Sequence, residues 1–255
     1  MTTYTHRELM AIVAAREIQD GDIVFCGTGI SMLAAMAAKH ISAPDSVIFF
    51  ETGAVDAQLE EVPMAVADPR VMYGAAVNGS LAEAFGYMQN RFTGRRVIGI
   101  MGAAQIDRFG NLNSTVIGDY LKPRVRFSGS GGACDVASFV SRTIVFMHLD
   151  KRKFVPQVDY RTSPGWLSGY DSRQSAGLTG KGPSLVVTDL ATMGFDENTR
   201  AMYLKGCYPG VAPESIRAKM GFEVDISRAH SVPPPTPQEL HILRAICDPQ
   251  RLILG

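Results

Sequence analysis

One side chain in this sequence combines a reactive type with a placement that could use it. Glu51 closes the apolar run Val47 to Phe50, and Thr52 and Gly53 follow at once. Four consecutive apolar residues read as the interior of a buried strand. A carboxylate lifted out of such a strand can serve as a nucleophile when it is partly desolvated and amides stand near enough to stabilise an oxyanion. The same pattern also suits a carboxylate that points to water or caps the next helix, as most acidic residues near turns do.

Glycine loops could supply those amides. Gly27-Thr28-Gly29, Glu51-Thr52-Gly53 and the stretch Gly102 to Gln105 each follow an apolar strand pattern. Ligands of open parallel sheets gather outside the carboxyl ends of the strands, so all three could share one rim. Taken singly, each is no more than a turn signal.

Other chemistry-bearing patterns fail on their spacing. "GLTGKGPS" has Gly182 after Lys181, where a phosphate-binding P-loop needs Ser or Thr. "GSGGAC" lacks the last glycine of a dinucleotide fingerprint, and no Gly-x-Ser-x-Gly elbow exists. "DRFGNLNST" gathers Asp107, Asn111 and Asn113, but Phe109 and the missing late glutamate exclude an EF-hand. The five histidines form no i, i+3 or i+4 ligand pair, and only His148, on an apolar strand, merits consideration as a functional group. Cys26, Cys134, Cys207 and Cys247 are scattered with no Cys-x-x-Cys pair, which argues against zinc and against a disulfide framework. No metal site is expected.

The elements that must position these residues follow from periodicity. Thr5 and Glu8 have capping-box spacing ahead of the apolar Ile12, Val13 and Ile18. Gly21 ends that helix and a strand runs through Cys26. A helix is expected over 32–40, a strand ending at Glu51, and strands over 95–103, 143–149 and 184–190. "APESIRAKMGF" predicts a helix with an early proline and Gly221 at C′, and Thr236 with Glu239 caps a last helix. Strands alternating with helices predict an α/β fold: an open, mostly parallel twisted sheet with helices on both faces. The 255 residues suit one domain, 1–255, with no Pro/Gly/Ser linker dividing them.

Composition narrows the partners. The 25 basic and 25 acidic side chains cancel, so no global field points to nucleic acid or an acidic membrane. No apolar run is long enough to cross a bilayer, and "MTTYTHRELM" lacks an apolar signal core, so a cytoplasmic location is expected.

Taken in order, the motifs resemble the glutamate-bearing B subunit of two-subunit family I CoA-transferases, of the glutaconate and 3-oxoadipate type. The resemblance runs through "GTG" (27–29), "APD" (43–45), Glu51-Thr52-Gly53 and "GAAQIDRFGNLNST" (102–115). It continues through "GDYLKPRVRFSGSGGA" (118–133), "KRKFVPQVDYRTSPGW" (151–166), "VVTDL" (186–190), "MYLKGCYPGVAPE" (202–214) and "GFEVD" (221–225). It implies Glu51 as nucleophile, ping-pong transfer through an acyl-glutamyl anhydride and a glutamyl-CoA thioester, and CoA thioester as substrate with no resident cofactor. Gly27, Gly29, Gly53 and the second glycine loop, Gly129, Gly131 and Gly132, are the implied CoA or oxyanion contacts. An A-subunit partner, in a heterotetramer or larger, is implied too. Relatives on the same scaffold act as hydrolases or decarboxylases, and a non-catalytic acyl-CoA-binding subunit is a further alternative. Lys151-Arg152-Lys153 could meet CoA phosphates, although such a run is more often a solvated face.

Overall fold

The computed structural model describes Thr3–Asn90 and Phe92–Gly255. The chain divides into two compact units, one of residues up to Ile100 together with Pro234–Gly255, the other of Met101–Pro233.

The first unit opens with α1 (His6–Ala15), whose first turn carries the expected capping box of Thr5 and Glu8. β1 (Ile23–Cys26) leads through the Gly27–Gly29 loop into α2 (Ile30–Ile41), two residues earlier than the periodicity predicts. Ala34, Ala35, Ala37 and Ala38 of α2 are fully buried, and the helix packs against α1, β1 and the C-terminal segment. β2 (Val47–Phe49) ends before Glu51, and a tight turn sends the chain back antiparallel as β3 (Ala54–Val55). β4 (Val77–Asn78), α3 (Leu81–Gln89) and β5 (Val97–Gly102) follow. The strand order is β5-β1-β2-β3-β4, with β1 parallel to both β2 and β5. Phe25 and Phe49 are register partners and meet edge to face at 5.2 Å, and Phe85 and Tyr87 of α3 close over them. Such an aromatic contact adds about 0.5–1.5 kcal/mol beyond the area it buries.

The last residues return to this unit. Thr236 and Glu239 cap the helix Pro237–His241 as their spacing predicts, and a π-helix, Ile242–Cys247, continues it. Two arginine–carboxylate forks fasten the segment to α1. Arg16 meets Glu239 at 2.7 Å through both Nε and a terminal nitrogen. Arg244 grips Glu8 at 2.5 and 3.0 Å.

The second unit contains two short hairpins, β6 (Gln105–Ile106) with β7 (Leu112–Asn113), and β8 (Val116–Gly118) with β9 (Pro123–Arg126). After them come α4 (Ala133–Phe139), β10 (Arg142–Phe146), α5 (Ser172–Ser175) and β11 (Pro183–Val187). β12 (Ala191–Phe195), β13 (Met202–Cys207), α6 (Pro213–Arg217) and β14 (His230–Ser231) complete it. Here the order is β10-β11-β12-β13-β14. β10 and β11 are parallel, and β12 is antiparallel to both its neighbours.

The fold is therefore α/β with an open, mostly parallel sheet and antiparallel returns at β3 and β12. The helix predicted near 213–221 ends early, and Gly221 is not its C′ residue. A side chain there would put its Cβ 2.3 Å from the Phe154 carbonyl oxygen, so glycine is required for a close backbone approach. Among the described residues no helix is long and apolar enough to cross a membrane. Cys26, Cys207 and Cys247 are buried and Cys134 is exposed, all as free thiols.

Candidate active site

Glu51 sits in a three-residue hairpin loop. The Phe50 N–H donates to the Ala54 carbonyl and the Gly53 N–H donates to the Phe50 carbonyl, each at 3.0 Å. Such loops place their third residue in the left-handed region, and Gly53 has φ +99°. The loop is pressed onto the chain ahead of α3: Gly79 donates its N–H to the Gly53 carbonyl at 2.9 Å, and a Cβ on Gly53 would lie 2.2 Å from the Gly79 oxygen. Gly53 thus fixes the turn, and its own N–H is engaged within it.

The Glu51 side chain is half-buried, and its carboxylate has no hydrogen bond or ion pair among the described residues. Beside it, the Thr52 hydroxyl is buried without a protein partner. A buried polar atom left unpaired costs about 1–3 kcal/mol, so two adjacent unengaged oxygen-bearing groups set this loop apart.

The β1–β2 register supplies the neighbour. Phe25 stands opposite Phe49, where the pairing ends, so the Gly27–Gly29 loop and the Glu51 turn both leave the carboxyl ends of adjacent strands. Gly29, at φ +86°, is the N-cap of α2 and makes no side-chain capping bond. The first-turn amides of α2 consequently have no side-chain acceptor. Added Cβ atoms at Gly27 or Gly29 would meet nothing within 4 Å, so the loop borders open space. Ser31 steadies it by donating to the carbonyls of Gly27 and Thr28 at 3.2 and 3.3 Å. The positive end of a helix dipole and uncapped amides beside a carboxylate loop can stabilise a developing oxyanion.

The second glycine loop belongs to the other unit and is held differently. Gly129 exchanges hydrogen bonds with Ser114, and the Cys134 amide donates to Ser130 Oγ at 2.9 Å. Gly129 and Gly131 have φ +92° and +49° and border open space, while Gly132 caps α4. Beneath the loop, Asn113 bonds Gln105 and the Val116 carbonyl, both at 2.7 Å. Asp107 accepts the amides of Phe109 and Asn111, and burial raises its carboxyl pKa against those bonds. The cluster that resembles a calcium loop in sequence is thus a buried brace whose oxygens are already occupied.

A cavity of about 970 Å³ in this unit, lined by Trp166, Tyr170, Lys181 and Arg200, lies where the chain enters β11 rather than at its carboxyl end. Arg200 covers the Trp166 ring at 4.4 Å there. It is a weaker candidate for substrate chemistry, because open sheets bind ligands at the opposite edge. Sequence reasoning missed the Thr52 hydroxyl and the contact of His148 with Asp189, since neither burial nor strand alignment is visible in residue spacing.

Comparison with known proteins identifies the family. Residues 7–219 match the family model described as Coenzyme A transferase. The chain is 41% identical over 251 residues to the B subunit of glutaconate CoA-transferase from Acidaminococcus fermentans, covering 97% of this chain and 94% of the relative. It is 35% identical over 247 residues to the B subunit of 3-oxoadipate CoA-transferase from Pseudomonas knackmussii, covering 96% and 94%. The crystal structure of the Acidaminococcus fermentans glutaconate enzyme superposes with a TM-score of 0.95 at 40% identity, over all of this chain and 98% of that one. The chain belongs to the coenzyme A transferase family.

Proposed function

We propose that this chain is the glutamate-bearing B subunit of a two-subunit CoA-transferase that moves CoA between small carboxylic acids. The observation that carries the reading is the unengaged carboxylate of Glu51 in its hairpin loop, at the end of the strand adjacent to the one that leads into α2. One Glu51 oxygen attacks the thioester carbonyl, the C–S bond breaks, and CoA leaves as thiolate. The thiolate then attacks the Glu51 acyl carbon of the mixed anhydride, releasing the first acid and leaving a glutamyl-CoA thioester. A second carboxylate reverses both steps, so no net proton or water is consumed. Each tetrahedral intermediate carries an oxyanion, for which the Gly27–Gly29 loop and the first turn of α2 are the donors in this unit. Gly129, Gly131 and Gly132 contribute a second glycine surface for the CoA ester, and an A-type subunit completes the enzyme. The acids belong to the short dicarboxylic and oxo-acid class named for the two relatives.

Borohydride reduction of the complex during exposure to acyl-CoA should convert the Glu51 carboxyl to a primary alcohol, read by peptide mass spectrometry. Glu51→Ala should lower transfer by about a thousand-fold or more, as loss of a nucleophile does. Undiminished transfer in that variant overturns the mechanism. Release of free CoA at the full rate without an acceptor acid overturns transferase in favour of hydrolase.

A further inference from the structure

Two kinds of oxyanion arise on the proposed route, and they sit on different atoms. When Glu51 attacks the thioester, negative charge gathers on the oxygen of the substrate acyl group. When the CoA thiolate attacks the mixed anhydride, the charge gathers instead on the oxygen that Glu51 itself retains. The same happens when the acceptor acid attacks the glutamyl-CoA thioester. A donor for this second oxyanion has to stand beside the Glu51 side chain, whatever acid is being carried.

The Glu51 loop contains one unengaged side-chain donor. The Gly53 N–H bond to the Phe50 carbonyl makes Glu51 and Thr52 the two central residues of a turn. Their side chains are therefore not thrown to opposite faces, as they would be along a strand. Thr52 is half-buried as a residue, yet its hydroxyl oxygen is covered and bonds nothing among the described residues. The turn fixes it there, because the Phe50 and Gly53 amides close the loop and the Gly79 N–H grips the Gly53 carbonyl. A glutamate is long enough for its carboxyl to reach the hydroxyl of the next residue. While Glu51 is a free carboxylate no such bond forms, and an anion resists the burial that the contact requires. Acylation removes the charge and with it that resistance.

We propose that Thr52 is a catalytic residue whose hydroxyl donates to the retained Glu51 oxygen once that carboxyl is acylated. This rests on the reading of Glu51 as nucleophile. As sulfur bonds to the Glu51 acyl carbon, the carbonyl electron pair moves onto the oxygen. The Thr52 O–H then hydrogen bonds to that oxygen and keeps its own proton. The pair returns to re-form the carbonyl while the bond to the departing acid breaks. The hydroxyl is unbonded in the resting loop and finds its partner only as the reaction proceeds, so the bond favours the transition state over the ground state.

The test compares Thr52→Val and Thr52→Ser in the complex with the partner subunit. Valine keeps the shape and removes the donor. It should slow transfer by about a hundred-fold, as loss of one oxyanion donor does, with little change in KM for acyl-CoA. Single-turnover release of the first acid, without an acceptor, should slow likewise. Serine keeps the hydroxyl and should recover most of the rate. The unfolding midpoint of the Thr52→Val chain should hold or rise, because the hydroxyl it loses has no partner in the resting fold. Undiminished transfer in Thr52→Val overturns the assignment, as does a serine variant as slow as the valine one. A lower midpoint in Thr52→Val overturns it too, since the hydroxyl would then already be bonded. Borohydride trapping separates this assignment from the one beneath it. An unsubstituted complex that yields no reduced Glu51 removes the nucleophile, and Thr52 with it. Reduced Glu51 that forms as fast in Thr52→Val as in the unsubstituted complex removes Thr52 alone.

Discussion

At the scale of single residues, the site depends on one carboxylate and one glycine with separate tasks. In the proposed mechanism Glu51 supplies the reactive oxygen, and Gly53 makes the loop that holds it. Gly53→Ala would force a Cβ to within 2.2 Å of the Gly79 oxygen at a φ of +99°. Left-handed strain alone costs about 1–3 kcal/mol. At roughly 2–4 °C per kcal/mol for a chain of this size, the unfolding midpoint should fall by about 5 °C or more. Calorimetry of the variant checks this, and an unchanged midpoint would show that the turn relaxes freely. The residue type at position 51 is legible in the sequence, because a carboxylate after four apolar residues is conspicuous. Its loop is not legible: the strand pattern runs on to Glu51, whereas pairing stops at Phe49 and the backbone reverses through Gly53.

Among the elements, the capped helices and the apolar strands were readable, the strands expected over 95–103, 143–149 and 184–190 appearing as Val97–Gly102, Arg142–Phe146 and Pro183–Val187, whereas the antiparallel returns and the pairing partners were not. Thr5 with Glu8 and Thr236 with Glu239 form the capping boxes their spacing predicts, since the bonded groups lie three residues apart. The antiparallel β12 and β13, and the alignment of His148 with Asp189, depend on pairings that no periodicity encodes. The same capping glutamates do further duty beyond their helices. Hydrogen bonding by Arg244 holds the Glu8 carboxyl below its ordinary 4.5, against the opposing effect of burial. A lowered folded-state value means that the pair stabilises the fold above pH 4.5 and that this stability is lost as pH falls through the lowered value. Glu8→Gln should therefore cost about 1.5–3 kcal/mol at neutral pH and show a flatter loss on acidification. Denaturant midpoints from neutral pH down through the carboxylate range test it, and parallel curves for the two proteins would remove Glu8 as a source of acid lability.

At the scale of the whole molecule, the balance of 25 basic and 25 acidic groups leaves no net field to steer a partner. Apolar side chains are available instead, with Phe92 and Leu121 each 85% exposed. Exposed apolar groups on a neutral protein favour association through buried area. The purified chain alone should therefore show no transferase activity and gain it on mixing with an A-type subunit. The affinity of that pair should change by less than about threefold between roughly 0.05 and 0.5 M salt, because screening acts on charge and leaves apolar contact intact. Titration of one subunit with the other by activity measures both. Full activity from the chain by itself, or a steep loss of pairing with salt, would contradict the assignment of apolar association. The α/β class followed from strands alternating with helices, and the end-to-end run of matching motifs carried the family.

The parallel ladder between β1 and β2 works as a ruler. Main-chain hydrogen bonds, rather than any side chain, align the strand ends from which the Glu51 turn and the loop into α2 depart. Apolar residues along those strands can consequently be exchanged for others of similar bulk without moving the reactive oxygen. Loss or gain of a single residue between Ser46 and Glu51 would swing that oxygen to the opposite side of the sheet.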